Sequence, residues 1–101
     1  MCEVLVKHGF NVEFLDDTNL SDGSYDIRIN GVRADLKKLS SHNNIIKKAK
    51  YAINNQNAQI VVFEFTEDTP SIRKKLLELQ RKGYKFIYYF TGAEDQIYEV
   101  L

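Results

Sequence analysis

Apolar and polar positions alternate along this chain with two different periods, and the changes of period mark its elements. Val4, Leu5 and His8 stand at helical spacing and Gly9 supplies a stop, so residues 1–9 predict a helix end. Phe10, Val12 and Phe14 then alternate with polar residues, predicting a strand over 10–15, and residues 16–24, rich in Asp, Asn, Ser and Gly, read as a loop. Two further alternating runs, 25–29 and 32–36, flank Asn30-Gly31, a dipeptide that favours a tight type I′ hairpin turn. Residues 40–44 offer N-cap side chains, after which Ile45, Ile46, Ala49, Ala52, Ile53 and Gln56 mark one face of a helix whose other face carries Lys47, Lys50 and Asn54. Residues 60–65, β-branched and aromatic, predict a buried strand. Thr69-Pro70 form an N-cap and N1 pair, Ile72, Leu76, Leu77 and Leu79 make the stripe of the next helix, and Gly83 ends it. Residues 84–90 and 96–101 predict the last two strands. The order is α-β-β-β-α-β-α-β-β, an α/β (α+β) class with a mixed central sheet and an N-terminal hairpin.

Counting outward from Asn30-Gly31 fixes the hairpin register: Ile29 faces Val32, Arg28 faces Arg33, Ile27 faces Ala34 and Asp26 faces Asp35. Tyr25, Ile27, Ile29, Val32, Ala34 and Leu36 then share one face, while Asp26, Arg28, Arg33, Asp35 and Lys37 share the other. The first set is core. The second is expected to be exposed, as a solvated outer face or as a site. Opposed aspartates with β-carbons roughly 5 Å apart repel one another, as do opposed arginines, so the pattern costs stability unless something uses it.

Composition narrows the options. The 101 residues, 44% hydrophobic and 28% charged, fit a single domain over 1–101 that folds without a metal or disulfide. Cys2 is the one cysteine and reads as a small apolar side chain. The longest apolar stretch, 60–63, is far short of the roughly 20 residues a membrane helix needs, and no basic-then-apolar leader precedes it, so the expectation is a cytoplasmic chain or a domain of a larger secreted or phage-encoded protein. Net charge is zero, yet residues 1–30 carry two basic and six acidic groups while residues 31–60 carry six basic and one acidic. The middle third is the polarised part.

A divalent cation, Mg²⁺ or Mn²⁺, bridging Asp26 and Asp35 would convert their repulsion into attraction, and Lys37, one strand step on, would meet the scissile phosphate or help deprotonate a water. Those are the parts of a phosphodiester hydrolase. Lys37 on a solvated face would add little to stability, so its removal should leave folding nearly intact.

Ser24-Tyr25-Asp26, eight intervening residues, then Asp35-Leu36-Lys37 resembles the PD-(D/E)XK nuclease signature, and the element order over residues 1–65 resembles that superfamily's restriction-endonuclease-like core. More broadly, KHGFNVEFL, YDIRINGVRADLKKLSSHNNI and the lysine-rich helix ending near NNQNAQIVVFEF are similar to the C-terminal tRNA-nuclease domains of contact-dependent growth-inhibition (CdiA-type) toxins and to phage head-morphogenesis C-terminal domains. Some of these belong to a metal-independent ribonuclease class, for which no cofactor is needed. The resemblance implies a nuclease, RNA (tRNA) preferred, with catalytic positions at Asp26, Asp35, Lys37 and His42, polar contacts from Ser40 and Ser41, and Glu3 completing a metal set with Asp26 and Asp35. Tyr25 stands where the PD-(D/E)XK pattern usually has proline.

His42 is a general base for a 2′-hydroxyl in the metal-free form, or else an exposed loop histidine. Arg28, Arg33, Lys47, Lys48 and Lys50 are candidate phosphate contacts. His8 is expected to sit on the C-terminus of its helix, Lys38 to point away from Lys37, and most of the aromatics of 84–90 to lie in the core or a partner interface, the alternative being a base-stacking surface on an open sheet. The last strand is an edge open to a second copy or an immunity-type partner. The alternatives are a metal-dependent DNA nuclease and a non-catalytic phage structural or interaction module with a degenerate nuclease fold.

Overall fold

The computed structural model describes residues 2–14, 26–55 and 58–101, with the side chains of Cys2, Phe14, Asp26 and Asn55 outside that description. The loop expected over 16–24, Tyr25 and Gln56 also lie outside the described residues, as does the packing of Cys2. The elements are α1 (Cys2–Lys7), β1 (Val12–Phe14), β2 (Asp26–Ile29), β3 (Val32–Leu39), α2 (Ile45–Asn55), β4 (Ile60–Phe65), α3 (Pro70–Arg81), β5 (Phe86–Phe90) and β6 (Tyr98–Val100). Types and order follow the sequence pattern; the boundaries are tighter at β1, β5 and β6 and longer at β3.

The six strands form one mixed sheet in chain order, β1-β2-β3-β4-β5-β6. β1, β2 and β3 pair antiparallel, β4 runs parallel to β3, β5 parallel to β4, and β6 antiparallel to β5. The hairpin register is the one counted from the turn, with Asp26 opposite Asp35 and Arg28 opposite Arg33. Asn30 and Gly31 take φ of 50° and 84°, the left-handed values that a type I′ turn requires and that Asn and Gly adopt at least cost.

Parallel neighbours need a crossover, and right-handed crossovers that step in one direction put their helices on one side of the sheet. α2 and α3 accordingly share a face with Val61, Phe63, Phe65, Phe86 and Phe90, to which they contribute Ile45, Ala49, Ala52, Ile72, Leu76 and Leu79. The second core lies on the opposite face, where Leu5 of α1 packs with Ile27, Ile29, Ala34, Leu36, Ile60, Val62, Ile87 and Tyr89. Each fully buried Phe or Ile contributes about 1.5–3 kcal/mol of transfer free energy, and β4, buried along its whole length, is the axis of both cores. Thr69 caps α3 through its hydroxyl, which accepts from the Ile72 N–H at 3.2 Å, with Pro70 at the first helical position. No helix of the described residues is long and apolar enough to cross a membrane.

This layering overturns one expectation. The polar hairpin face is not solvated throughout, because β3 is central in the sheet and α2, reached by the crossover that follows it, packs back against β3 and β4. Asp35 has no exposed surface and Lys37 is 8% exposed.

Candidate functional site

Asp35 and Lys37 lie two residues apart on β3 and therefore on one face, level with Val61 and Phe63 of β4. An ammonium and a carboxylate so enclosed are stable only together, and Lys37 Nζ sits 3.0 Å from Asp35 Oδ2. The lysine stem continues to the floor of a cavity of about 340 Å³ whose other walls are Asn44, Lys47, Lys48 and Tyr51. Asn44, with φ of 70°, turns the chain into α2, and its carbonyl accepts from Lys48 N at 2.8 Å. The first turn of α2 carries no acidic residue, so its positive end and Lys47 and Lys48 point the same electrostatic sign at the cavity.

The structure thus brings together Asp35, Lys37, Lys47 and Lys48. Asp26 is opposite Asp35 in the ladder, but its side chain lies outside the described residues. Glu3 is not brought to this group: it is exposed on α1, whose Leu5 packs against the other face of the sheet. Arg28 and Arg33 stand nearer the hairpin turn, and Arg28 is drawn to Glu13 at 3.7 Å, an exposed pair of small energetic weight. Ser40 and His42 are exposed in the loop between β3 and α2, where Ser41 Oγ accepts from Asn43 N at 3.3 Å. None of the three is among the described residues that line the cavity. Lys50 is exposed on the same side of α2 as Lys47 but is not among the described residues that line the cavity.

Among the described residues no three His, Cys, Asp or Glu side chains are grouped closely enough to hold a metal. Of the expected metal set, Glu3 lies on the other layer, Asp35 faces the Lys37 ammonium, and the Asp26 side chain is outside the described residues.

On the opposite face sits a polar cluster that sequence reading missed. Glu64 accepts from Tyr89 Oη at 2.8 Å and Thr91 Oγ1 at 2.9 Å, and Lys38 Nζ lies 3.3 Å away. Burial alone would raise the Glu64 pKa, but the hydrogen bonds from Tyr89, Thr91 and Lys38, with the lysine's charge, outweigh it and hold the carboxyl below its ordinary value. The lone charge inside the apolar run IVVFEF was the available signal. Lys38 does point away from Lys37, as alternation required.

Two other groups resolve as structural. His8 departs from expectation: its Nε2 donates to the Glu94 carbonyl at 2.7 Å instead of capping α1, so Nε2 carries the proton, since a carbonyl can only accept. Arg73 is held by Asp68 through two contacts of 3.0 Å and lies over Phe90 and Tyr98, its guanidinium carbon 4.7 and 5.0 Å from the ring centres. The paired aspartate raises the Arg73 pKa further, and the guanidinium lowers that of Asp68. Phe86, Tyr89 and Phe90 are buried and Tyr84 and Tyr88 half-buried, in line with a core role for that run. Comparison with protein-family models, with curated proteins and with solved structures finds no match to the chain.

Proposed function

We propose that this domain is a nuclease that cleaves phosphodiester bonds, RNA preferred, at the cavity between β3 and the start of α2. The observation that carries the reading is the enclosed Asp35–Lys37 pair opening on a pocket walled by Lys47 and Lys48. Fold order supports it: an antiparallel β1-β2-β3 followed by a helix and a parallel β4 is the arrangement expected of a restriction-endonuclease-like core.

In this reading Asp35 is a positioning residue, since a carboxylate without exposed surface cannot touch substrate. It holds Lys37 in place, and the ammonium meets the negative charge that builds on the non-bridging phosphate oxygens as a nucleophilic oxygen adds to phosphorus and the bond to the leaving oxygen breaks. Preorganised by burial, such a donor needs no reorganisation when the charge develops. Lys47 and Lys48 hold the adjoining backbone and make affinity salt-dependent. His42, in the neighbouring loop, is the proposed proton acceptor for a metal-free reaction in which the 2′-oxygen bonds to phosphorus, the bond to the 5′-oxygen breaks, and that oxygen leaves with the proton returned by His42 or taken from water.

The test is cleavage of labelled tRNA and plasmid DNA with Mg²⁺, with Mn²⁺ and with EDTA. The inactive control is the double variant Asp35→Asn/Lys37→Gln, which removes both charges together, with folding verified by circular dichroism. EDTA-resistant RNA cleavage lost in the double variant and in His42→Ala supports the metal-free form. Metal-dependent cleavage lost in the double variant moves the chemistry toward Asp26. Wild-type rates in a folded double variant refute the site. One observation favours a second reading, a degenerate fold used for interaction: the carboxylate is wholly enclosed and neutralised by its own lysine. It is supported if neither nucleic acid is cut under any of the three conditions.

A further inference from the structure

Resting on that reading, we infer that Tyr51 is a base-stacking platform beside the phosphate-binding lysines, so that the strand held in the cavity is single-stranded or unpaired. α2 buries Ile45, Ala49 and Ala52 against the sheet. At 100° per residue Tyr51 falls on the opposite side, in the middle of the polar face, one turn beyond Lys47 and Lys48. A tyrosine there is not core: it is 48% exposed, and it lines the same cavity as Lys37.

The neighbours give that ring its meaning. Asn44, Lys37, Lys47 and Lys48 bring three cations and an amide to the same cavity, a lining suited to an anionic backbone. Duplex nucleic acid presents phosphates outward but hides the faces of its bases, leaving an aromatic among lysines nothing to stack on. An unpaired strand presents both at once, phosphate to the ammonium groups and a base face to the ring. The phenol's flat surface accepts any base, which implies preference for unpaired regions without strict sequence choice.

The experiment measures binding by fluorescence anisotropy in EDTA, using a short labelled 2′-O-methyl oligonucleotide that lacks the hydroxyl needed for self-attack. The same sequence is compared as a single strand, as a duplex, and as a single strand with abasic sites. Because Tyr51 is half exposed, Tyr51→Ala removes little packing and the protein stays folded. Expected is a loss of about 5- to 100-fold for the single strand in Tyr51→Ala, near-complete recovery in Tyr51→Phe, and a change below about twofold for the abasic and duplex probes. Lys47→Ala and Lys48→Ala should weaken all three probes alike. If the lysine variants weaken binding while Tyr51→Ala does not, the stacking role is overturned and the phosphate site stands. If neither the lysine variants nor Tyr51→Ala alters binding, the nucleic-acid reading of the cavity falls, and the stacking role with it.

Discussion

Replacing Lys37 by methionine keeps most of the side chain's volume and removes its charge, leaving Asp35 enclosed without its ammonium. At 3.0 Å the pair attracts by about 5–6 kcal/mol at an effective dielectric of about 20, much of it offset by the cost of taking both ions out of water. Removing one partner forfeits the attraction but not the burial of the other charge, and such changes cost about 3–5 kcal/mol. Against a total folding stability of about 5–15 kcal/mol, that is about a fifth or more of what holds the domain together. With a urea slope of about 1–1.5 kcal/mol per molar, the unfolding midpoint of Lys37→Met should fall by about 2–5 M. Asp35→Leu should fall comparably, since it removes the carboxylate 3.0 Å from the buried ammonium. The double variant Asp35→Leu/Lys37→Met should return close to wild type, because an apolar pair of similar volume commonly equals or exceeds a buried ion pair. A Lys37→Met midpoint within about 0.3 M of wild type, or a double variant as unstable as the two singles added, would refute the argument. The solvated-face expectation makes the opposite forecast, a nearly silent Lys37 substitution.

Two further predictions concern other parts of the fold. Tyr89→Phe removes one donor to Glu64 and should cost about 1–2 kcal/mol at neutral pH. Because the folded-state Glu64 pKa is lowered, its contribution is present above the ordinary carboxylate range and lost as pH falls through the folded value, so the gap to wild type in urea midpoints should narrow in acid; a gap independent of pH would exclude Glu64 as the cause. Gly31→Ala places a β-carbon where nothing lies within 4 Å, so only its left-handed φ of 84° opposes the change. The cost should be about 1–2 kcal/mol, seen as a lower melting temperature with an unchanged denaturant slope, and an unaltered melt would refute the turn assignment.

Local rules carried far in this chain. The Asn30-Gly31 turn, the hairpin register, the limits of β4 and the Thr69-Pro70 start of α3 were all legible, since each depends on a few neighbouring residues. What period-two alternation could not say is what covers each face. It separated Asp35 and Lys37 from Ala34 and Leu36 correctly, yet it took the polar face for an exposed one, because burial there comes from α2 returning across a parallel crossover. Glu3 failed for the same reason: its place on α1 was legible, but the side of the sheet on which α1 lies was not. Glu64 was hidden because its partners Tyr89 and Thr91 are more than twenty residues away in sequence and meet it only through the β4–β5 ladder. Tyr51 was not legible as a site residue because the cavity it lines forms only where α2 packs beside Lys37 of β3.

Among the described residues the sheet carries two enclosed carboxylates, Glu64 and Asp35. Glu64 takes hydrogen bonds from Tyr89 and Thr91 and the charge of Lys38, a network that supports the ends of β3, β4 and β5. Asp35 lies level with Val61, and Lys37 level with Phe63, so on packing grounds alone a pair of aliphatic side chains would serve β3 at least as well. If the apolar replacement folds as well as the ion pair, the proposed function is what accounts for keeping the pair, since Lys37 lines a cavity with two more lysines. The Asp35→Leu/Lys37→Met variant separates the two demands: it should fold as well as wild type and neither cut nor firmly hold a phosphodiester strand. Were it folded and fully active, the pair would be structural after all, and the nuclease reading would lose the observation on which it stands.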